Sequence, residues 1–133
     1  MKAVVLCAGR GTRLRPLTHT GVKHLIPVAN RPILFHVLDH LSAAGVDEVC
    51  VVVSEGAEDL RAALAGANGW SLRIDFAVQV SPRGLAHAVA CARDFVGDER
   101  FLLYLGDNLF QRGVASLTQE AIGRDCAACV FLS

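Results

Sequence analysis

No aspartate or glutamate occurs before position 39, yet thirteen acidic residues follow and the chain as a whole is neutral. The first 38 residues hold six of the thirteen lysines and arginines. Zero net charge argues against a surface that coats a polyanion, so no nucleic-acid partner is expected and the early cations must serve something local. No run of 18 apolar residues occurs, which leaves no candidate membrane-spanning helix and no expected membrane partner. Residues 1–7 carry one lysine and run straight into Gly-Arg-Gly, so they read as a buried strand rather than a leader peptide. Repeats and low-complexity segments are also missing.

Two common phosphate-binding signatures are absent as well. A Walker A loop needs Gly-x-x-x-x-Gly-Lys-Ser/Thr, and no such run exists. A dinucleotide fingerprint needs a third glycine where Leu14 stands, and Pro16 interrupts any helix soon after. The five cysteines are odd in number and scattered, which fits reduced thiols and a cytoplasmic location. Cys126 and Cys129 have redox or zinc spacing, but no second pair completes a zinc site. They lie in an apolar run that reads as a strand, where an offset of three points the thiols to opposite faces, so both are expected to be buried and structural.

What is present is concentrated. Val4–Ala8 is an apolar run that ends in Gly9-Arg10-Gly11-Thr12-Arg13, with Arg15 and then Lys23 following. Gly9 and Gly11 lack a Cβ, so backbone N–H groups there can approach a ligand closely and form an anion nest. Arg13 adds a planar fork suited to phosphate oxygens. A tight turn with solvated arginines is the plainer alternative, and the preceding strand, the arginine cluster and Lys23 weigh against it.

With 133 residues, 53% of them apolar, the chain should form one domain or part of one, with a real core. Strands are expected over residues 2–6, 48–53, 72–78, 100–104 and 127–132, and helices over 32–44, 57–64, 84–95 and 114–122. Alternating strands and helices argue for a mostly parallel α/β sheet, whose ligands bind beyond the carboxyl ends of the strands. His36 and His40 lie four apart on one helix face, but without a third ligand nearby they read as partly buried or solvated rather than metal-bound.

Taken together, Gly9-Arg10-Gly11-Thr12-Arg13-Leu14-Arg15-Pro16-Leu17-Thr18 and Lys23-His24-Leu25-Ile26-Pro27-Val28-Ala29-Asn30-Arg31-Pro32 resemble the signature of the sugar-1-phosphate nucleotidyltransferases. Gln79-Val80-Ser81-Pro82-Arg83-Gly84-Leu85-Ala86-His87-Ala88 is similar to the base-reading segment of the glucose-1-phosphate thymidylyltransferases, and Tyr104-Leu105-Gly106-Asp107-Asn108 to their metal-binding loop. Thr18–Lys23 and Val28-Ala29-Asn30 resemble the longer form of that family. The motifs occur in family order, and the resemblance covers nearly the whole chain. The resemblance implies a three-layer α/β/α Rossmann-like nucleotidyltransferase fold. It also implies transfer of a nucleotidyl group from dTTP to a sugar 1-phosphate, glucose 1-phosphate first among them, with Mg²⁺ as cofactor.

Carried onto this chain, the family pattern assigns catalytic roles to Arg13, Lys23 and Asp107, with Asp107 the metal ligand. It places nucleotide contacts at Leu6, Ala8, Gly9, Gly11, Thr12, Arg13, Gln79, Pro82, Gly84 and Asp107. The chemistry of these residues agrees. In-line displacement between anions needs neutralised charge and positioning, and an aspartate is a hard oxygen ligand for Mg²⁺. An amide offers a donor and an acceptor to the edge of thymine or uracil. Plainer roles remain for each: a solvated Lys23, a turn-capping Asp107, a polar strand end at Gln79.

Two departures stand out. Ala8 replaces a glycine that many members carry. The family's catalytic domain also extends well beyond this length, and its later half supplies a second metal-binding aspartate and the groups that hold the sugar phosphate. Residues 1–133 are therefore expected to be the N-terminal, nucleotide-binding part of such a domain, an incomplete piece of an enzyme. The alternatives are a nucleotide-binding module without turnover and a UTP-dependent uridylyltransferase, since Gln79 cannot sense the 5-methyl group. Homo-oligomerisation of a full-length protein stays open.

Overall fold

The computed structural model describes residues 1–9, 23–67 and 69–131. Its centre is a four-stranded parallel sheet of β1 (Lys2–Leu6), β4 (Glu48–Ser54), β5 (Arg73–Gln79) and β6 (Phe101–Leu105), in the order β5-β4-β1-β6. Val4 and Val5 are fully buried, as are Val49, Val51 and Val52, because parallel strands covered on both faces need apolar residues at successive positions. A two-stranded hairpin, β2 (Pro27–Val28) and β3 (Arg31–Pro32), precedes the first long helix. Its turn residues Ala29 and Asn30 both have positive φ.

The helices are α1 (Ile33–Ala43), α2 (Glu58–Ala65), α3 (Leu85–Ala90), α4 (Arg93–Val96) and α5 (Ala115–Ile122). Leu34, Val37, Leu38 and Leu41 of α1 and Leu60 and Leu64 of α2 pack with Ala3, Val5, Val49, Val51 and Val53 on one face of the sheet. Ala88, Ala92 and Val96, from α3, α4 and their junction, cover Val4, Leu6, Cys50 and Val52 on the other. The result is the expected α/β/α layering.

Three expectations need correction. The helix expected over 84–95 is two short helices, α3 and α4, interrupted by a turn at Cys91 and Ala92. Residues 127–131 are not a strand: among the described residues β6 pairs only with β1, and an extended segment without a ladder partner has no regular place for its backbone groups. For the same reason the expected burial of that thiol pair fails, with Cys126 exposed and Cys129 half-buried, while Cys7 and Cys50 are buried as expected. No described helix is long and apolar enough to cross a membrane.

Candidate functional site

All four strands of the main sheet run the same way, so their carboxyl ends share one edge. From β1 the chain moves to β4 and β5 on one side, then returns to β6 on the other. The direction of winding therefore reverses beside the ends of β1 and β6, where open α/β sheets leave a crevice. Gly9 follows β1 there, and Gly106 and Asp107 follow β6. Gln79 closes β5, three strand positions from β6, or about 14 Å at ordinary strand spacing.

The β1–β6 end is charged and tightly packed. Lys23 opens a short 3-10 turn, Lys23–Leu25, and its Nζ donates to Asp107 Oδ2 at 2.5 Å. Burial would raise the Asp107 carboxyl, but the hydrogen bond and charge of Lys23 outweigh it and hold the group below its ordinary range. Gly106 N–H donates to Leu6 O at 3.0 Å and extends the β1–β6 ladder past the strand end. A Cβ at Gly106 would lie 2.6 Å from Cys7 Sγ and 2.9 Å from Leu6 O, so only glycine lets the aspartate loop pass this close to β1.

His24, next to Lys23, is 1% exposed, and neither ring nitrogen has a hydrogen-bond partner among the described residues. Burial, aided by the Lys23 charge and opposed by Asp107, lowers its pKa from 6.5 to about 4, so the ring is neutral. Burial pushes the Cys7 thiol far up, so it stays protonated.

The β5 end is held by hydrogen bonds, with Arg83 exposed beside it. Gln79 is 6% exposed, and its Nε2 donates to Gly84 O at 3.2 Å and lies 2.9 Å from His87 Nδ1. The expected donor–acceptor pair of Gln79 is therefore half used inside the protein. Gly84 has φ +93°, a conformation that glycine alone adopts readily, and caps α3 by accepting from Ala88 N–H at 3.1 Å. Pro82 is exposed beside it.

The structure thus brings Lys23 to Asp107 and Gln79 to Gly84, and places Leu6, Ala8 and Gly9 at the end of β1 on the same edge. Arg13, Gly11 and Thr12 lie outside the described residues. His24 and His87 stand beside the candidate residues Lys23 and Gln79, and sequence reasoning did not single them out. Neither position is marked by periodicity; only adjacency to Lys23 and to the Gln79–Gly84 segment could have raised them. His36 and His40 are each engaged elsewhere: His36 Nε2 donates to Val28 O at 2.8 Å, and His40 Nδ1 lies 3.1 Å from the Tyr104 hydroxyl. A recess of about 550 Å³ bordered by Cys50, Asp75, Cys91 and Asp94 lies on the sheet face, away from these motifs.

A family model for nucleotidyl transferases matches residues 2–132. The chain belongs to that family. Among curated relatives, it is 44% identical over 133 residues to the low-salt glycan biosynthesis nucleotidyltransferase Agl11 of Haloferax volcanii, covering 99% of this chain and 37% of the relative. It is 42% identical over 134 residues to a glucose-1-phosphate thymidylyltransferase of Streptomyces antibioticus, covering 100% of this chain and 38% of that protein. A Bacillus anthracis crystal structure assigned to glucose-1-phosphate thymidylyltransferase superposes with a TM-score of 0.87 at 28% identity, over 94% of this chain and 51% of that one. A UDP-glucose pyrophosphorylase bound to UDP-glucose shares the fold, with a TM-score of 0.79 at 20% identity. The chain spans less than half the length of the curated relatives it matches.

The expected Mg²⁺ can be set against the residues at the charged end. Asp107 is part-exposed and ionised, and can give one hard oxygen ligand. Among the described residues no group of three His, Cys, Asp or Glu side chains converges. This donor set suits Mg²⁺, which commonly binds one or two carboxylates and takes its other ligands from phosphates and water.

Proposed function

We propose that this chain provides the nucleotide end of a sugar-1-phosphate nucleotidyltransferase that uses dTTP. A phosphate oxygen of the sugar phosphate attacks the α-phosphorus, the bond to the β-phosphate oxygen breaks, and pyrophosphate leaves. The observation that carries the reading is the Lys23–Asp107 pair, set at the winding reversal beside the glycine loop of a nucleotidyl transferase. Two opposite charges there offer a cation to phosphate oxygens and an anion to a metal, the two things a triphosphate needs. Lys23 would exchange its Asp107 partner for phosphate. Asp107 would hold Mg²⁺, which when bound supplies charge neutralisation at the phosphates. Arg13 would add a bidentate phosphate contact. Gln79 and Gly84 would receive the base at the β5 end, and Leu6, Ala8, Gly9, Gly11, Thr12 and Pro82 would shape the path between.

Uridine nucleotides are the second reading, favoured by the fold shared with UDP-glucose pyrophosphorylases, because nothing at Gln79 senses the 5-methyl group. Sugar identity stays a proposal, with glucose 1-phosphate first. Because the chain spans less than half of its relatives, nucleotide binding is the cleaner readout. Calorimetry with Mg²⁺ should show dTTP and UTP binding better than ATP or GTP. Gln79→Ala should erase most of that preference, worth about 1–3 kcal/mol, while triphosphate binding persists. Equal affinity of the unchanged chain for all four nucleotides would sink the reading. Pyrophosphate release with dTTP and glucose 1-phosphate measures turnover directly.

A further inference from the structure

We propose that His87 is a specificity-determining positioning residue: it fixes the Gln79 amide so that only the carbonyl oxygen is left for a bound base. The proposal rests on the reading of Gln79 as the base-contacting residue. Its starting point is which atoms can donate. Gly84 O only accepts, so the Gln79 atom 3.2 Å away has to be the nitrogen, with one amide hydrogen spent there. The same nitrogen lies 2.9 Å from His87 Nδ1. An amide nitrogen only donates, so Nδ1 carries a lone pair and the imidazole proton sits on Nε2.

Both amide hydrogens are therefore committed, and Oε1 alone remains. Turning the amide over would set Oε1 against the lone pairs of Gly84 O and would force His87 onto its Nδ1–H tautomer. The carbonyl cannot change its role. Gly84 is held at φ +93° and also accepts from Ala88 N–H, and His87 stands in the first turn of α3. Gln79 is itself 6% exposed, so water cannot readily stand in for a lost partner. A site that presents an acceptor alone welcomes the N3–H of thymine or uracil and opposes the N3 lone pair of cytosine. His87 would thus turn an ambivalent amide into a one-sided reader without touching the nucleotide.

The test is calorimetry of the 133-residue chain with Mg²⁺ and dTTP, dUTP or dCTP, which differ only on the base. The unchanged chain should favour dTTP and dUTP over dCTP by about tenfold or more. His87→Leu removes the acceptor and should cut that ratio to a few-fold. His87→Lys puts a donor against a donor, which favours the turned amide, and should bring the ratio near one. His87→Gln can still accept through its carbonyl and should keep most of it. If the ratio collapses in Gln79→Ala but survives both His87→Leu and His87→Lys, the role of His87 is overturned while base reading by Gln79 stands. If the ratio survives Gln79→Ala, or the unchanged chain shows none, base reading fails as well. Nitrogen-15 NMR of the unchanged chain needs no variant: His87 should be the Nε2–H tautomer at neutral pH, and a protonated Nδ1 would overturn the proposal.

Discussion

The two ends of the sheet edge each depend on a glycine, for opposite reasons. At the β1–β6 end, Gly106 has no positive φ but no room: a single added carbon meets Cys7 Sγ and the Leu6 carbonyl. At the β5 end, Gly84 has nothing within 4 Å of where a Cβ would stand, yet its φ is +93°. One end is made by close approach of backbones, which brings an anionic loop against a cationic one. The other is made by a backbone bend, which aims a carbonyl at an amide. Charge needs proximity and tolerates angular error; base reading needs orientation. The packing follows that division.

Gly106→Ala should break the first end and give the largest effect. Steric overlap with backbone is not relieved by a rotamer change, so a loss of about 3 kcal/mol and a fall in Tm on the order of 10 °C are expected. A variant that melts within about a degree of the parent would contradict the close-approach account. Acid should attack the same end. The folded pKa of His24 is lowered to about 4 from 6.5, so as pH falls the unfolded chain takes up the proton first. This contribution is fully present above pH 6.5 and declines as pH falls toward 4, by roughly 3 kcal/mol at most. Urea titrations across that window should show it, and His24→Gln should flatten the slope. A parent whose stability is level there would show that the ring is not buried neutral.

Gly84→Ala should act at the other end and cost about 2 kcal/mol through backbone conformation alone. The comparison sharpens with Gly84→Asn. Asparagine tolerates the left-handed helical region, but Gly84 has ψ −179°, outside it, so asparagine should do no better than alanine. An asparagine variant as stable as the parent would mean that the loop relaxes and that its bend is not a requirement.

The same division explains what could be read from the residues beforehand. The four main strands and the helix at 33–43 were legible because a parallel sheet buries successive apolar residues and α1 carries a clean 3.6-residue period. Gln79, Gly84 and Asp107 stood out because each ends or follows a strand in a recognisable motif, and Lys23 because it follows the arginine cluster. The segment 127–131 misled because its apolar composition is necessary for a strand but pairing is what makes one. The hairpin around Ala29 and Asn30 was missed, although an asparagine between short extended pieces is a turn signal. His24 and His87 were invisible for a deeper reason. What distinguishes them, a buried ring without partners and a ring nitrogen facing an amide, comes from neighbours brought together by folding, and no local pattern encodes that.

The smallest effect on stability should come from the pair proposed to meet the triphosphate. Lys23 and Asp107 meet at 2.5 Å, but the Asp107 side chain is 37% exposed, so water can solvate either partner when the other is removed. Such pairs contribute little, and Lys23→Met or Asp107→Asn should each shift unfolding by less than about 1 kcal/mol. Their effects on triphosphate should be large by comparison and opposite in sign when metal is absent. Lys23→Met removes the cation offered to phosphate and should weaken dTTP about tenfold or more, with thymidine unchanged. Asp107→Asn removes an anion that repels the same phosphates, so metal-free dTTP should bind more tightly while the gain from added Mg²⁺ shrinks. Denaturant titration and calorimetry on the same two variants separate the cases. Several kcal/mol of lost stability in both, with unchanged dTTP affinity, would make the pair a structural clasp and leave the charged end without a phosphate-binding role.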